Sequence, residues 1–146
     1  MPTIQRCKRV RFTAQQMYQL VNDVMRYPDF IPYCAAANIH DASPESMTAS
    51  LTISMKGGLQ QSFTTCNRLV AHQSIEMNLA AGPFKSLHGF WRFQPVDSHS
   101  SDISLDLSFD FKNKLTQLAL SPVFSQVIHS MMDAFIQRAE VVYGAA

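Results

Sequence analysis

Between Ala35 and Phe111 the chain alternates apolar and polar side chains with a period of two. The cleanest run sets Ile103, Leu105, Leu107, Phe109 and Phe111 against Ser104, Asp106, Ser108 and Asp110. Successive side chains of a strand point to opposite faces, so this run predicts a strand with one face buried and one wet. Met47, Ala49, Leu51, Ile53 and Met55 alternate in the same way with Thr48, Ser50, Thr52, Ser54 and Lys56. Phe63 stands among polar neighbours in "QQSFTTCNRL". Ile75, Met77 and Leu79 repeat the rule, and Leu87, Gly89, Trp91 and Phe93 share one face. The breaks between these runs are "SPES", "KGG" (Lys56–Gly58), "AAGPF" (Ala80–Phe84) and "PVDSHSS", all rich in turn residues. Consecutive strands joined by short turns predict an antiparallel meander.

Outside this region the pattern changes. "TIQRCKRVRF" (Thr3–Phe12) mixes β-branched and charged residues and predicts a first strand. Thr13 opens "TAQQ", a capping box with Gln16 at the third helical position, and Met17, Leu20, Val21 and Val24 follow at helical spacing. Pro28 disfavours helical geometry at Tyr27, which predicts a helix end near Arg26. Near the C-terminus Leu115, Leu118 and Ala119 form a short apolar stripe. Ser121-Pro122 interrupts it, as a cap and first-turn residue of a fresh helix would. Phe124, Val127, Ile128, Met131, Phe135, Ile136, Ala139 and Val142 then line a broad apolar face over roughly six turns.

The predicted class is α+β: a strand, a helix, about six strands and a long helix. A strongly curved antiparallel sheet closed over by one rod buries these faces yet leaves a gap between them. "RYPDFIPYC" (Arg26–Cys34) places Tyr27, Phe30, Ile31 and Tyr33 beside two prolines, directly after the first helix. Two roles fit this apolar turn: a lid over the mouth of the gap, or a plug at the end of the core.

Composition narrows the picture. The 146 residues suit one domain, 1–146, that buries roughly 70% of its unfolded surface without staples. A net charge of +1 supplies no global field toward nucleic acid or an anionic membrane. Arg6, Lys8, Arg9 and Arg11 form a local exception that could meet phosphate, although charged residues on an edge strand also serve to block sheet-to-sheet association. The odd number of cysteines, Cys7, Cys34 and Cys66, lacks any CxxC and fits free thiols in a reducing compartment. "MPTIQRCKRV" has no apolar run of the signal-peptide kind, and no window reaches the length of a membrane span. The expected location is the cytoplasm.

Catalytic chemistry finds little support. His40, His72, His88, His99 and His129 show no HxxxH, HxH or HExxH spacing. The first, second and fourth fall in or near turns, His88 lies on the polar side of its strand, and His129 is expected to pack or snorkel. No GxSxG, GxGxxG or P-loop occurs, and nothing adjacent would activate Cys34 or Cys66 as a nucleophile. No catalytic or metal site is predicted. A cavity under the helix would be lined by Leu51, Ile53, Phe63, Met77, Trp91, Phe93, Leu107 and Phe109 from the strands. Met131, Met132 and Phe135 would line it from the helix, and Tyr27, Phe30 and Tyr33 from the lid. The same residues serve equally as ordinary core. Tyr27, Tyr33 and Asn67 could hydrogen-bond the polar end of an apolar ligand.

"MYQLVNDVMRYPDFIPYC", "MTASLTIS", "FTTCNRL", "GPFKSLHGFWRF", "LSFDFKNKL" and "MMDAFIQRAEVVY", in this order, resemble the coenzyme-Q-binding START-like family, and more closely its bacterial, ribosome-association-toxin branch. The resemblance runs from the first strand to the last helix. It implies a helix-grip (START/Bet v 1-like) fold, a curved sheet of about seven strands around the C-terminal helix. Pro122 departs from the continuous last helix expected of the family.

Two functions follow from the resemblance. One is non-enzymatic binding of ubiquinone or another isoprenoid or lipid in the grip, linked to respiration, with no required cofactor and at most a transient membrane contact. The other is binding to the large ribosomal subunit with a block of subunit joining. That interface would draw on Arg6, Lys8, Arg9 and Arg11, with Arg26, Lys85, Arg92, Lys112 and Lys114 as further candidates. A polyketide cyclase or dehydratase is the weaker alternative, because it needs polar groups converging in the cavity and the inward positions are almost all apolar.

Overall fold

The computed structural model describes residues 3–54 and 60–144. The elements run β1 (Thr3–Val10), α1 (Ala14–Asn22), a 3-10 helix (Val24–Asp29), β2 (Cys34–Ala42), β3 (Ser46–Ser54), β4 (Gln60–Val70), β5 (Ser74–Ala81), β6 (Phe84–Pro95), β7 (Ser101–Phe111) and α2 (Lys114–Tyr143). One 7-stranded sheet has the order β1-β7-β6-β5-β4-β3-β2, and each neighbouring pair is antiparallel. The meander is therefore β2 to β7, and β1 closes onto β7 as one edge. Bulges between Cys34 and Ala36, Ile39 and Asp41, Thr64 and Thr65, and Phe84 and Ser86 add local bend and twist, which curves the sheet. The turn expected at Lys56–Gly58, with Met55, lies outside the described residues.

Burial along β7 alternates without a break, with Ser101, Ile103, Leu105, Leu107, Phe109 and Phe111 all inward. Ser101 is the polar member of that row, and its hydroxyl donates to the Phe12 carbonyl at 2.8 Å, so its burial leaves no orphaned group. On β6, Leu87, Gly89, Trp91 and Phe93 face inward as expected. A Cβ on Gly89 would lie 2.5 Å from Met77 Cε and 2.8 Å from Leu107 Cδ1, so glycine makes room there for two inward side chains. Gly82 turns the chain between β5 and β6 at φ +142°, where a Cβ would stand 2.7 Å from Phe63 Cβ. α2 covers the inner face with Phe124, Val127, Ile128, Met131, Met132, Phe135 and Ala139, all buried.

The capping box forms as read: Thr13 Oγ1 accepts from the Gln16 N–H at 3.1 Å, and Gln16 Oε1 accepts from the Thr13 N–H at 2.9 Å. Two expectations need correction. The first helix ends at Asn22, four residues short of Arg26, and the chain tightens into a 3-10 helix that holds Pro28 inside it. That geometry tolerates the proline because the turn is short and the ring needs only a fixed φ. α2 is one helix of 30 residues with Pro122 in its ninth position, so Ser121-Pro122 starts no new helix. Packing of the following turns against the sheet outweighs the lost Leu118 hydrogen bond. The stripe of Leu115, Leu118 and Ala119 faces solvent and joins no core.

Candidate apolar grip cavity

A cavity lies between the sheet and α2, and its open volume is about 60 Å³. Its walls come from every layer of the fold. Leu51, Phe63, Met77, Trp91 and Leu107 supply the sheet side, Met131 the helix, and Tyr27 the 3-10 segment. These seven are the sequence-derived candidates that the fold brings together. Val24, Ala49, Leu87, Leu105, Phe124 and Ile128 also line it. They were missed as lining although their inward orientation was legible for most, because alternation reports a face and not a position under the helix.

The remaining candidates sit elsewhere. Phe109, Met132 and Phe135 are fully enclosed in the core. Phe93 stacks on Trp91, with ring centroids 6.1 Å apart, and packs edge-on against Tyr18. Ile53 lines a separate apolar crevice at the end of the molecule where α2 begins. Phe30 is half-buried against Phe135, with the Arg138 guanidinium over its ring. Tyr33 is 45% exposed at φ 65°, a turn residue outside the cavity.

The "RYPDFIPYC" segment thus divides its apolar residues. Tyr27, Ile31 and Cys34 point inward and are buried, and only Tyr27 of these reaches the cavity wall. Tyr27 Oη donates to the Val21 carbonyl at the end of α1, and its ring meets Phe135 edge-on at 5.3 Å. Burial raises the Tyr27 pKa, with the Cys34 and Asp23 charges adding to the shift, so the hydroxyl stays protonated. That hydrogen bond uses its proton, which leaves it none for a ligand. Burial likewise pushes the Cys34 thiol up to about 11, which argues against a thiolate nucleophile there.

The polar groups of the cavity are few. Thr65 and Asn67, alternate residues of β4, are both buried on its inner face, and Thr65 Oγ1 donates to Asn67 Oδ1 at 2.8 Å. Among the described residues no protein group pairs with the Asn67 side-chain N–H donors. Among the described residues no carboxylate, histidine, lysine or arginine lines the cavity. Acid–base catalysis needs a titratable group within hydrogen-bond reach of a reacting atom, and these walls offer none in the ordinary range. The described residues hold no cluster of three His, Cys, Asp or Glu side chains with metal-binding geometry.

The histidines lie on the surface. His40 belongs to β2 and contacts Ser50 Oγ at 2.6 Å. His88 contacts Glu76 at 2.9 Å on the outer face. His129 is exposed, and its carbonyl accepts from Arg6.

The basic group on β1 is split by the pleat. Arg6 turns toward α2, to the His129 carbonyl and to Asp133 at 3.7 Å. Arg9, on the opposite face, makes a two-pronged contact with Asp102 at 2.8 and 3.2 Å. The guanidinium holds the Asp102 carboxyl below its usual range. Lys8 and Arg11 are exposed. The four cations therefore form no single basic face, and the place of Arg6, Lys8 and Arg9 on the edge strand fits an edge-protecting role. Arg26 lies 3.8 Å from Asp29, and Arg92 lies 3.8 Å from Asp106 while also covering the Phe90 ring.

Residues 10–136 match the family described as polyketide cyclase / dehydrase and lipid transport. The ribosome association toxin RatA of Escherichia coli strain K12 is 46% identical over 145 residues, covering 99% of this chain and 91% of that protein. The mitochondrial coenzyme Q-binding protein COQ10 homolog B of Xenopus laevis is 29% identical over 140 residues, 94% of this chain but 57% of that protein. The Zhui aromatase/cyclase of a Streptomyces species superposes with a TM-score of 0.83 over 95% of this chain and 93% of that one, at 16% identity, a likeness of fold alone. Both named relatives carry the names of binding or ribosome-associated proteins rather than of enzymes. The seven antiparallel strands, the long C-terminal helix and the match across most of the chain lead to one conclusion: this protein belongs to the polyketide cyclase / dehydrase and lipid transport family and has its START-like, helix-grip fold.

Proposed function

We propose that the chain is a non-enzymatic binding protein whose grip takes an apolar, isoprenoid- or lipid-like chain with a carbonyl-bearing head group. The observation that carries this reading is the apolar cavity with one polar pair in its wall, Thr65 and Asn67. The free amide donors of Asn67 suit an acceptor such as a quinone carbonyl. The tail gains about 0.8 kcal/mol per buried CH₂. At about 60 Å³ the cavity is far smaller than the ~300–1,000 Å³ of a site for a drug-sized molecule. Binding therefore requires side chains to swing aside, and the unbranched Met77 and Met131 are the lining residues best able to do so.

Trp91, the single tryptophan, lines the cavity and serves as a reporter. Titration with a short-tailed ubiquinone should quench its fluorescence saturably. Ala49→Leu, which fills the cavity, should weaken the response at least tenfold. Absence of quenching, together with repeated mass spectra of extracts from the purified protein that hold no quinone or lipid, defeats the proposal.

A second reading is association with the ribosome, as the name of the 46%-identical relative suggests. The long identity across 99% of the chain supports it. On this reading Lys8 and Arg11, which carry no ion pair among the described residues, contribute phosphate contacts. Co-sedimentation with the large subunit should fall steeply as salt rises. A chain that stays at the top of the gradient at low salt rules this reading out. The two readings use different surfaces and are compatible.

A further inference from the structure

Exposed apolar residues gather where α2 begins. Leu115 is 80% exposed and Leu118 69%. Ala119 and Pro122 are exposed too, and the spacing 115, 118, 119, 122 puts all four on one side of the helix, away from the buried Leu120. The same end carries Lys112 and Lys114, both exposed. Lys85 joins them from the start of β6, just after the β5–β6 turn, whose Pro83 carbonyl accepts from the Lys112 N–H at 3.0 Å and so lies against the start of α2. Among the described residues no carboxylate lies within ion-pair distance of these lysines, and the first turn of α2 has no acidic residue. The positive end of the helix dipole opposes cations at this place, so folding stability gives no reason for them.

We propose that this end of the molecule docks on an anionic lipid surface. The apolar stripe would enter the headgroup–acyl boundary while the lysines meet lipid phosphates, the division found in interfacial helices. Ribosomal RNA offers phosphates to the lysines but nothing to the leucines. A second copy of the chain, packed about a two-fold axis, would bring lysine against lysine. A bilayer surface matches both halves of the patch. The site also lies beside the crevice lined by Ile53, Pro83, Leu120 and Val123, whose Phe63 and Phe124 walls are shared with the grip cavity. An apolar chain leaving the bilayer at this end would thus meet an aromatic boundary of the cavity. Docking does not depend on the cavity reading.

Flotation of the full chain with vesicles tests it. Binding is expected to vesicles of equal parts phosphatidylcholine and phosphatidylglycerol, to weaken as salt rises, and to be absent with phosphatidylcholine alone. The double variant Lys112→Glu/Lys114→Glu should lower the partition coefficient roughly 30-fold. Leu115→Ser/Leu118→Ser should lower it by tenfold or more, and both variants should melt at no lower temperature than the parent, because the altered side chains are exposed. Ala49→Leu, which blocks only the cavity, should dock like the parent, so failure of docking and failure of the cavity proposal are separable. Equal binding by the parent and either double variant overturns the proposal. So does a parent that ignores phosphatidylglycerol but loses a protein or ribosome partner when the leucines are changed.

Discussion

Asn67 and Thr65 are polar residues placed where the fold buries apolar ones, and their mutual hydrogen bond offsets part of the cost of that placement. Asn67→Leu alone removes the acceptor and strands the Thr65 hydroxyl, so it should destabilise by about 1–3 kcal/mol. Adding Thr65→Val should recover most of that loss, because two apolar partners leave nothing unsatisfied. Denaturant melts of the single and double variants measure the difference. If the double variant is no better than the single, the stranded Thr65 hydroxyl is not the source of the loss. Cys34 gives a pH prediction. Its thiol ionises at about 11 in the folded chain against 9.0 in an unperturbed one, so the unfolded chain loses the proton first as pH rises. Stability should therefore hold below pH 9 and decline from there toward pH 11. Cys34→Ala should show a shallower decline in the same melts, and Cys34 should alkylate more slowly than the exposed Cys7 and Cys66.

At the scale of elements, α1 and α2 were read from the same kind of pattern with different success. Thr13 and Gln16 specified the start of α1 because a capping box is a local contact between residues three apart. Thr13→Ala should cost about 1 kcal/mol, seen as a lower denaturation midpoint. Its end was misplaced because the tightening at Val24–Asp29 answers to packing against β2, which no local spacing reports. Ser121-Pro122 predicts a break, yet α2 runs through it. The helix bears that residue against propensity, so Pro122→Ala should stabilise by up to about 3 kcal/mol. At about 2–4 °C per kcal/mol for a chain of this size, the gain is visible in a thermal melt. No gain would mean that the helix is locally relaxed around the proline.

Over the whole molecule, one side chain ties the layers together. Phe135 of α2 meets Trp91 of the sheet at 5.5 Å, Tyr27 at 5.3 Å and Phe30 at 5.4 Å, each edge-on, and is fully buried. Phe135→Ala should therefore cost about 3–5 kcal/mol, a large share of the 5–15 kcal/mol typical of a folded domain. A loss below 1 kcal/mol would show that the segment after α1 is held by other contacts. Two of these partners, Trp91 and Tyr27, also line the grip cavity.

The sequence by itself determined the strands, their inward faces, the capping box, the long final helix and, through resemblance to a known family, the helix-grip fold. These properties are periodic or local, so Leu107 and Trp91 declare their side of the sheet without reference to anything distant. Only the tertiary structure decided which inward residues border the hollow and which are sealed in core. Leu107 and Phe109 lie two apart on one face of β7, yet the first lines the cavity and the second does not. The difference depends on where α2 crosses the strand, a long-range relation. The same holds for the cations of β1, where Arg6 and Arg9 found partners 123 and 93 residues away. It also holds for Leu115 and Leu118, whose spacing marks one side of a helix but not whether anything covers it.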